Sequence, residues 1–197
     1  MPSRPATAAA MLILLAACAG PGPLPTPGAT TPPPGPWIAP DNAWSSSAPP
    51  PGLVGEGFAV GQVVPDVRLR DQHGDVVSLW QFHGDVVLLT ISAVWCLPCR
   101  DLARDAEAVV ADYDDVVLVT VLEEDAGGLR PEVSDAAGWA EAYGEGSPVL
   151  VDPERLLAPA VSGEFPVVLG LGRDLVVSRA LGGGTAADLR VLIEAEL

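Results

Sequence analysis

Apolar and polar positions switch between two periods along most of this chain. Val67 to Leu69 and Val76 to Leu79 are short β-branched runs on either side of Asp71-Gln72-His73-Gly74-Asp75, whose Gly and Asp residues favour a turn, so the pair predicts a hairpin. Val86 to Ala93 is almost continuously apolar, the mark of a strand buried on both faces, and it stops at Trp95-Cys96. From Leu97 to Asp112 the apolar residues Leu102, Ala103, Ala106, Val109 and Val110 recur at three and four, which is a helix period. Val116 to Leu122 predicts a second buried strand, Ser134 to Tyr143 a helix, Val149 to Val151 a short strand, and Glu154 to Ala160 one helical turn. Val167 to Leu171 and Leu175 to Leu181 are strands around the turn Gly172-Arg173-Asp174. Thr185, with Asp188 three residues on, is an N-cap signal for a closing helix whose Leu189, Leu192 and Ile193 share a face. Strands interleaved with helices and closed by a hairpin predict an α/β fold on a sheet of mixed direction.

The N-terminal quarter departs from this pattern. Arg4 is followed by an apolar run from Ala6 to Ala17, too short for the roughly 20 residues a bilayer core demands but suited to the apolar region of a secretory signal. The run ends at Leu15-Ala16-Ala17-Cys18, which resembles the lipobox of bacterial lipoproteins. That resemblance implies removal of residues 1–17 and acylation of Cys18; an ordinary signal peptide and an unprocessed helix are the alternatives. Between Pro21 and Pro51 lie twelve of the 21 prolines and one acidic residue, Asp41. Proline removes backbone donors and favours polyproline II, so residues 18–52 are expected to form a solvated, semi-stiff tether of at most about 3.1 Å per residue. Trp37 and Trp44 interrupt the tether, either resting on the domain or offering a docking site. The folded domain is expected over residues 53–197.

Charge narrows the range of partners. Ten basic residues, all arginine, face 26 acidic ones, for a net charge of −16. Binding to phosphate backbones relies on basic patches and counterion release, and adsorption to anionic lipid heads needs the same sign, so neither is expected.

The chemistry is concentrated at Trp95-Cys96-Leu97-Pro98-Cys99-Arg100. Here a buried strand gives way to a helix, which places Cys96 at the helix N-terminus and predicts that it is the more exposed of the pair. Unpaired backbone N–H groups and the positive end of the helix dipole favour a thiolate there, lowering its pKa from about 8.5. Two intervening residues let Cys99, in the first turn, reach Cys96 and close a ring, while Pro98 is tolerated because that turn needs no donor from it.

This loop, following an apolar strand, resembles the active site of the thioredoxin superfamily, specifically the TlpA/ResA-like (redoxin/AhpC-TSA-like) bacterial thiol-disulfide oxidoreductases. Gly61-Gln62-Val63-Val64-Pro65-Asp66, Gly84-Asp85 and Phe165-Pro166 carry the resemblance beyond the loop, from about Val60 to the end. It implies a thioredoxin-like fold: a central mixed sheet with helices on both faces and an inserted helix near Ser134 to Tyr143. It also implies a redox-active Cys96–Cys99 disulfide and a cis Pro166 beside the sulfurs. Trp95, Pro98, Phe165 and Pro166 would shape the client site. The implied setting is the cell envelope, lipid-anchored, with the domain facing the periplasm or exterior. Clients would be cysteine-containing exported proteins, served by an upstream electron donor or acceptor. No cofactor or metal is expected, and a monomer is.

The chain also departs from that family. Thioredoxins proper place a buried acid where Thr90 stands, and TlpA/ResA-like members often place a glutamate where Leu102 stands. A carboxylate near the buried thiol assists resolution, so another group must serve. Asp101, Glu123 and Glu124 are the candidates; a solvated acidic patch is the simpler reading of Glu123-Glu124-Asp125. Competing readings of the cysteine pair are half a zinc site completed by His73 or His83, a structural disulfide, a peroxidase enlisting Thr90 and Arg100, and a non-catalytic tethered binding module.

Overall fold

The computed structural model describes residues 36–161 and 163–196; Cys18 and the expected signal peptide lie outside them. The described strands are β1 (Arg68–Asp71), β2 (Val76–Ser78), β3 (Val86–Ala93), β4 (Val116–Glu124), β5 (Val149–Val151), β6 (Val167–Leu171) and β7 (Val177–Gly182). The described α-helices are α1 (Leu97–Val110), α2 (Val133–Tyr143) and α3 (Ala186–Glu194). The strands form one sheet in the order β2-β1-β5-β4-β3-β6-β7. The three central strands β3, β4 and β5 run parallel, whereas β6 is antiparallel to β3 and β1 antiparallel to β5. The expected α/β architecture with an N-terminal hairpin is what forms.

All eight residues of β3 are buried, because the strand lies inside the sheet and both of its faces are covered. One face carries the α-helices. Leu88, Leu118 and Val168 meet Leu102, Ala106 and Val109 of α1 and Leu189, Leu192 and Ile193 of α3. Leu122, Val149 and Val151 meet Ala103, Ala136 and Trp139. The steps from β3 to β4 to β5 run in one direction across the sheet, and right-handed crossovers then put α1 and α2 on the same side. The opposite face, where the resemblance implies helix as well, is closed by Phe58, Val64, Trp80, Phe82, Leu157 and Leu175, with 3-10 turns at Leu79–Gln81 and Ala158–Ala160. Pro153 and Pro159 account for this in the β5–β6 connection, since each withholds a backbone donor that an α-helix would use.

Two boundaries differ from the sequence expectation. β4 continues through Glu123 and Glu124, beyond its apolar run. A register shift between Ser92 and Ala93 pairs Ala93 with Glu124, and the Val94 N–H donates to the Glu124 carbonyl at 2.9 Å. The expected tether also ends early. Trp37 and Trp44 pack partly buried against the core, and their indole N–H groups donate to Ser78 Oγ at 3.3 Å and Asp71 Oδ2 at 2.7 Å. Asn42 donates to the Val76 carbonyl at 2.7 Å, and the Ser47 N–H to the Gln81 carbonyl at 2.8 Å. An indole offers a large apolar area with one polar handle, and here two of them fasten residues 37–52 to the domain.

Candidate active site

The sheet topology assembles the site. Parallel β3, β4 and β5 end at one edge, where Ala93, Glu124 and Val151 are followed by loops; antiparallel β6 begins there, with Val167 opposite Ile91. Reactive groups gather at this carboxyl edge of parallel strands. Pro166, immediately before β6, is therefore carried to the end of β3, and the Phe165–Pro166 bond is cis. Its carbonyl accepts from the Gly183 N–H at 2.6 Å, which ties it to the end of β7.

Cys96 is the N-cap of α1, with extended backbone, and its sulfur accepts from the Cys99 N–H at 3.2 Å. That donor is one of the amides a helix leaves unpaired at its start, so the reduced sulfur would face a ready stabiliser of negative charge. Cys96 and Cys99 form a disulfide, with Cα atoms 5.3 Å apart. Cys96 is expected to be the more exposed of the two, and the difference is marginal: Cys96 is 2% and Cys99 1% exposed, so both are buried in the disulfide-bonded protein. Trp95 is 46% and Leu97 68% exposed, giving the ring an apolar rim. Trp95 meets half-buried Phe165 edge-on, with centroids 6.0 Å apart. Arg100 holds the loop from below, donating from Nε and Nη2 to the Val94 carbonyl at 2.8 and 2.5 Å.

The acidic candidates separate. Asp101 is exposed and paired with Arg104, so it is turned away from the buried thiol. Glu124 accepts from the Trp95 indole at 2.7 Å and from Arg155 at 3.1 Å. Glu123 is buried, and its Oε2 lies 3.4 Å from Arg155. Burial, reinforced by Asp152, pushes its carboxyl up to about 7 although Arg155 pulls it down. The simpler reading of this run as a solvated patch fails for Glu123, which the lengthened β4 draws into the protein.

Sequence patterning does not single out a further buried carboxylate, Glu145. Gly144, at φ 67°, ends α2 in the left-handed conformation, and the Glu145 N–H donates to the Ala140 carbonyl at 3.0 Å. The reversal turns the Glu145 side chain inward, where Oε1 accepts from the Trp139 indole at 3.0 Å. Burial pushes this carboxyl up to about 7, although the Trp139 indole and the nearby Thr120 hydroxyl pull it down. The one visible signal is a charge wedged between two glycines, Gly144 and Gly146, after an amphipathic helix. Among the described residues no group of three or more His, Cys, Asp or Glu clusters as metal ligands would.

A sheet of this order, with a disulfide at the start of the first central helix and a cis proline at the adjoining strand, defines a thioredoxin-like site of the thiol-disulfide oxidoreductase class. The chain belongs to the AhpC/TSA family, whose model matches residues 60–171. It is 28% identical over 102 residues to the thioredoxin-like protein YneN of Bacillus subtilis (strain 168), a match covering 52% of this chain and 59% of that relative's length. A candidate thiol:disulfide interchange protein DsbE from Chlorobium tepidum superposes with TM-score 0.58 at 25% identity, covering 71% of this chain and 99% of its own. The exposed lipoprotein thioredoxin Etrx1 of Streptococcus pneumoniae strain TIGR4 does so with TM-score 0.56 at 25% identity, covering 66% and 98%.

Proposed function

We propose that the protein is an extracytoplasmic thiol-disulfide oxidoreductase, tethered to the membrane through Cys18, that works as a reductase of disulfides in exported proteins. The observation that carries the exchange chemistry is the Cys96–Cys99 disulfide at the N-terminus of α1, under the apolar rim of Trp95, Leu97, Pro98 and Phe165. In the reduced protein the Cys96 thiolate attacks a client disulfide. A mixed disulfide forms at the edge occupied by Pro166, and Cys99 displaces the client sulfur, leaving the client as a dithiol and the pair as a disulfide. A donor dithiol protein then restores the reduced pair.

The apolar run ending at Cys18 supports export and anchoring, as does the likeness to a pneumococcal exposed lipoprotein. Among the described residues no helix is long and apolar enough to cross a membrane. The acidic domain and apolar rim suit a monomer that meets unfolded or flexible clients. The peroxidase reading has family membership on its side, yet both groups it would enlist are engaged elsewhere. The Thr90 hydroxyl donates to Thr120 Oγ1 at 3.0 Å under the helices, and Arg100 is spent on the Val94 carbonyl.

Insulin reduction by the full chain with a dithiol donor tests the activity. Wild type should accelerate it, Cys96→Ser should abolish it, and Cys99→Ser should accumulate mixed disulfides with exported proteins. A Cys96→Ser variant as active as wild type would overturn the reading. Anchoring is tested separately by palmitate incorporation, which Cys18→Ala should remove.

A further inference from the structure

Behind Cys99, on the helix-covered face of the sheet, lies a cavity of about 10 Å³, room for a single water. Its lining includes Cys99, Thr90, Ser92, Thr120, Trp139 and Glu145. Leu102 lines it too, so both positions where the sequence lacks an expected acid, Thr90 and Leu102, open onto one space. The carboxylate in that space comes from a different element. Glu145 enters from the α2–β5 loop, and its Oε2 is buried without a hydrogen-bond partner, whereas Oε1 is fixed by Trp139. Glu123 and Glu124 do not line the cavity; their neighbours are Asp152, Arg155 and Trp95.

We propose that Glu145 is the proton acceptor for Cys99 during resolution, working through one water in this cavity. The inference rests on the exchange chemistry proposed above and names a residue for its second step. The Cys99 S–H proton passes through the water to Oε2 of Glu145. The Cys99 sulfur then attacks Cys96 Sγ, the Cys96–Cys99 bond forms, and the bond from Cys96 to the client sulfur breaks. The client sulfur leaves with the electron pair and takes its proton from solvent. Two electrons have moved from the cysteine pair to the client, and one proton rests on Glu145.

That proton has a way out. Glu145 also lines an open surface groove with Trp44, Gln72, His73, Ala140 and Glu141. The groups facing Glu145 are Thr120 from β4, Trp139 and Glu141 from α2, His73 from the β1–β2 turn, and Glu107 from α1, whose charge disfavours a second anion. A carboxyl poised near neutrality suits the task, since a proton acceptor works best when its pKa lies near the working pH.

The reduced full chain carrying Cys18→Ala, so that Cys96 and Cys99 are its two thiols, is mixed rapidly with excess 5,5′-dithiobis(2-nitrobenzoate) and releases one thionitrobenzoate as Cys96 attacks and a second as Cys99 resolves the adduct. Glu145→Gln keeps an acceptor for the Trp139 indole. It should leave the first phase unchanged, slow the second at least about tenfold at pH 7, and erase the second phase's pH midpoint near 7. A second phase within twofold of wild type with its midpoint intact would overturn the proposal, as would the same loss in Glu123→Gln instead. Absence of the first phase in wild type would instead remove the exchange reading itself. Should Glu145→Gln fail to fold, carbon-13 NMR of glutamate-labelled wild type decides. One carboxyl, still present in Glu123→Gln, should titrate near 7 and shift its midpoint on reduction of the disulfide; no such carboxyl means Glu145 has no such role.

Discussion

Trp95 is tied to Glu124: its indole N–H donates to Glu124 Oε2 at 2.7 Å, joining the residue before the first cysteine to the last residue of β4. Arg155 grips the other carboxylate oxygen at 3.1 Å, so the ring is fixed from the sheet side while its edge meets Phe165. The result is a large apolar surface, nearly half exposed and held in one orientation beside the redox pair.

Glu124→Ala should therefore weaken client capture more than chemistry. Loss of a single solvent-accessible hydrogen bond is worth about 1 kcal/mol, which corresponds to roughly a five-fold rise in KM for a peptide disulfide. Steady-state kinetics should show kcat within twofold of wild type. In a double-mutant cycle, Trp95→Ala with Glu124→Ala should be no worse than Trp95→Ala alone; additive losses would show that Glu124 acts by another route.

Trp44 should matter for stability and not for turnover. Asp71 is fully buried, and its Oδ1 already serves the His73 and Asp75 N–H groups at 2.9 Å, leaving Oδ2 to the Trp44 indole. Trp44→Phe keeps the apolar ring but strands that oxygen, at a cost of about 1–3 kcal/mol. Thermal melts should fall by roughly 2 to 10 °C, with insulin reduction unchanged when measured below the transition. An unchanged melting temperature would mean that the 37–52 segment does not hold to the domain in solution.

The features legible in the sequence are those specified locally. β3 shows as an unbroken apolar run, α1 as a three-four spacing, and the Thr185–Asp188 cap as two residues three apart, each within a dozen positions. The cysteine pair shows for the same reason. Features made by distant partners were not legible. Trp44 sits in a proline-rich stretch and is anchored 27 residues away at Asp71, a pairing that composition cannot display. Glu123 looks like a surface acid until β4 is seen to pair two residues beyond its apolar stretch. Glu145 has no periodic context, since its inward turn depends on the left-handed Gly144 and on α2 lying against α1.

Arg155 should govern the ionisation of Glu123. It is the cation that lowers the Glu123 carboxyl, against burial and the charges of Asp152 and Glu124. Arg155→Met removes that support, so the Glu123 midpoint should move above its wild-type value of about 7. Carbon-13 NMR of labelled glutamate reads this directly. A midpoint that stays or falls would show that water, and not Arg155, balances the charge.

The two buried glutamates also fix the sign of the pH dependence of stability. Glu123 and Glu145 each rise from an ordinary 4.5 to about 7 on folding, and Asp152 is raised as well, all chiefly through burial. Below 4.5 the glutamates are protonated in both states and cost nothing. Between 4.5 and about 7 the folded chain holds protons that the unfolded chain has released, so stability falls as pH rises through that window and levels off above it. The shift corresponds to about 3 kcal/mol for each residue as an upper estimate. For a domain of this size the oxidised protein should melt on the order of 10 °C lower at pH 8 than at pH 5. Gln mimics the neutral carboxyl, so Glu123→Gln combined with Glu145→Gln should melt close to wild type at pH 5, above it at pH 8, and with a flattened profile between. A wild-type melting temperature that is flat or climbs from pH 5 to pH 8 would show that these carboxyls ionise in the folded state as easily as in water.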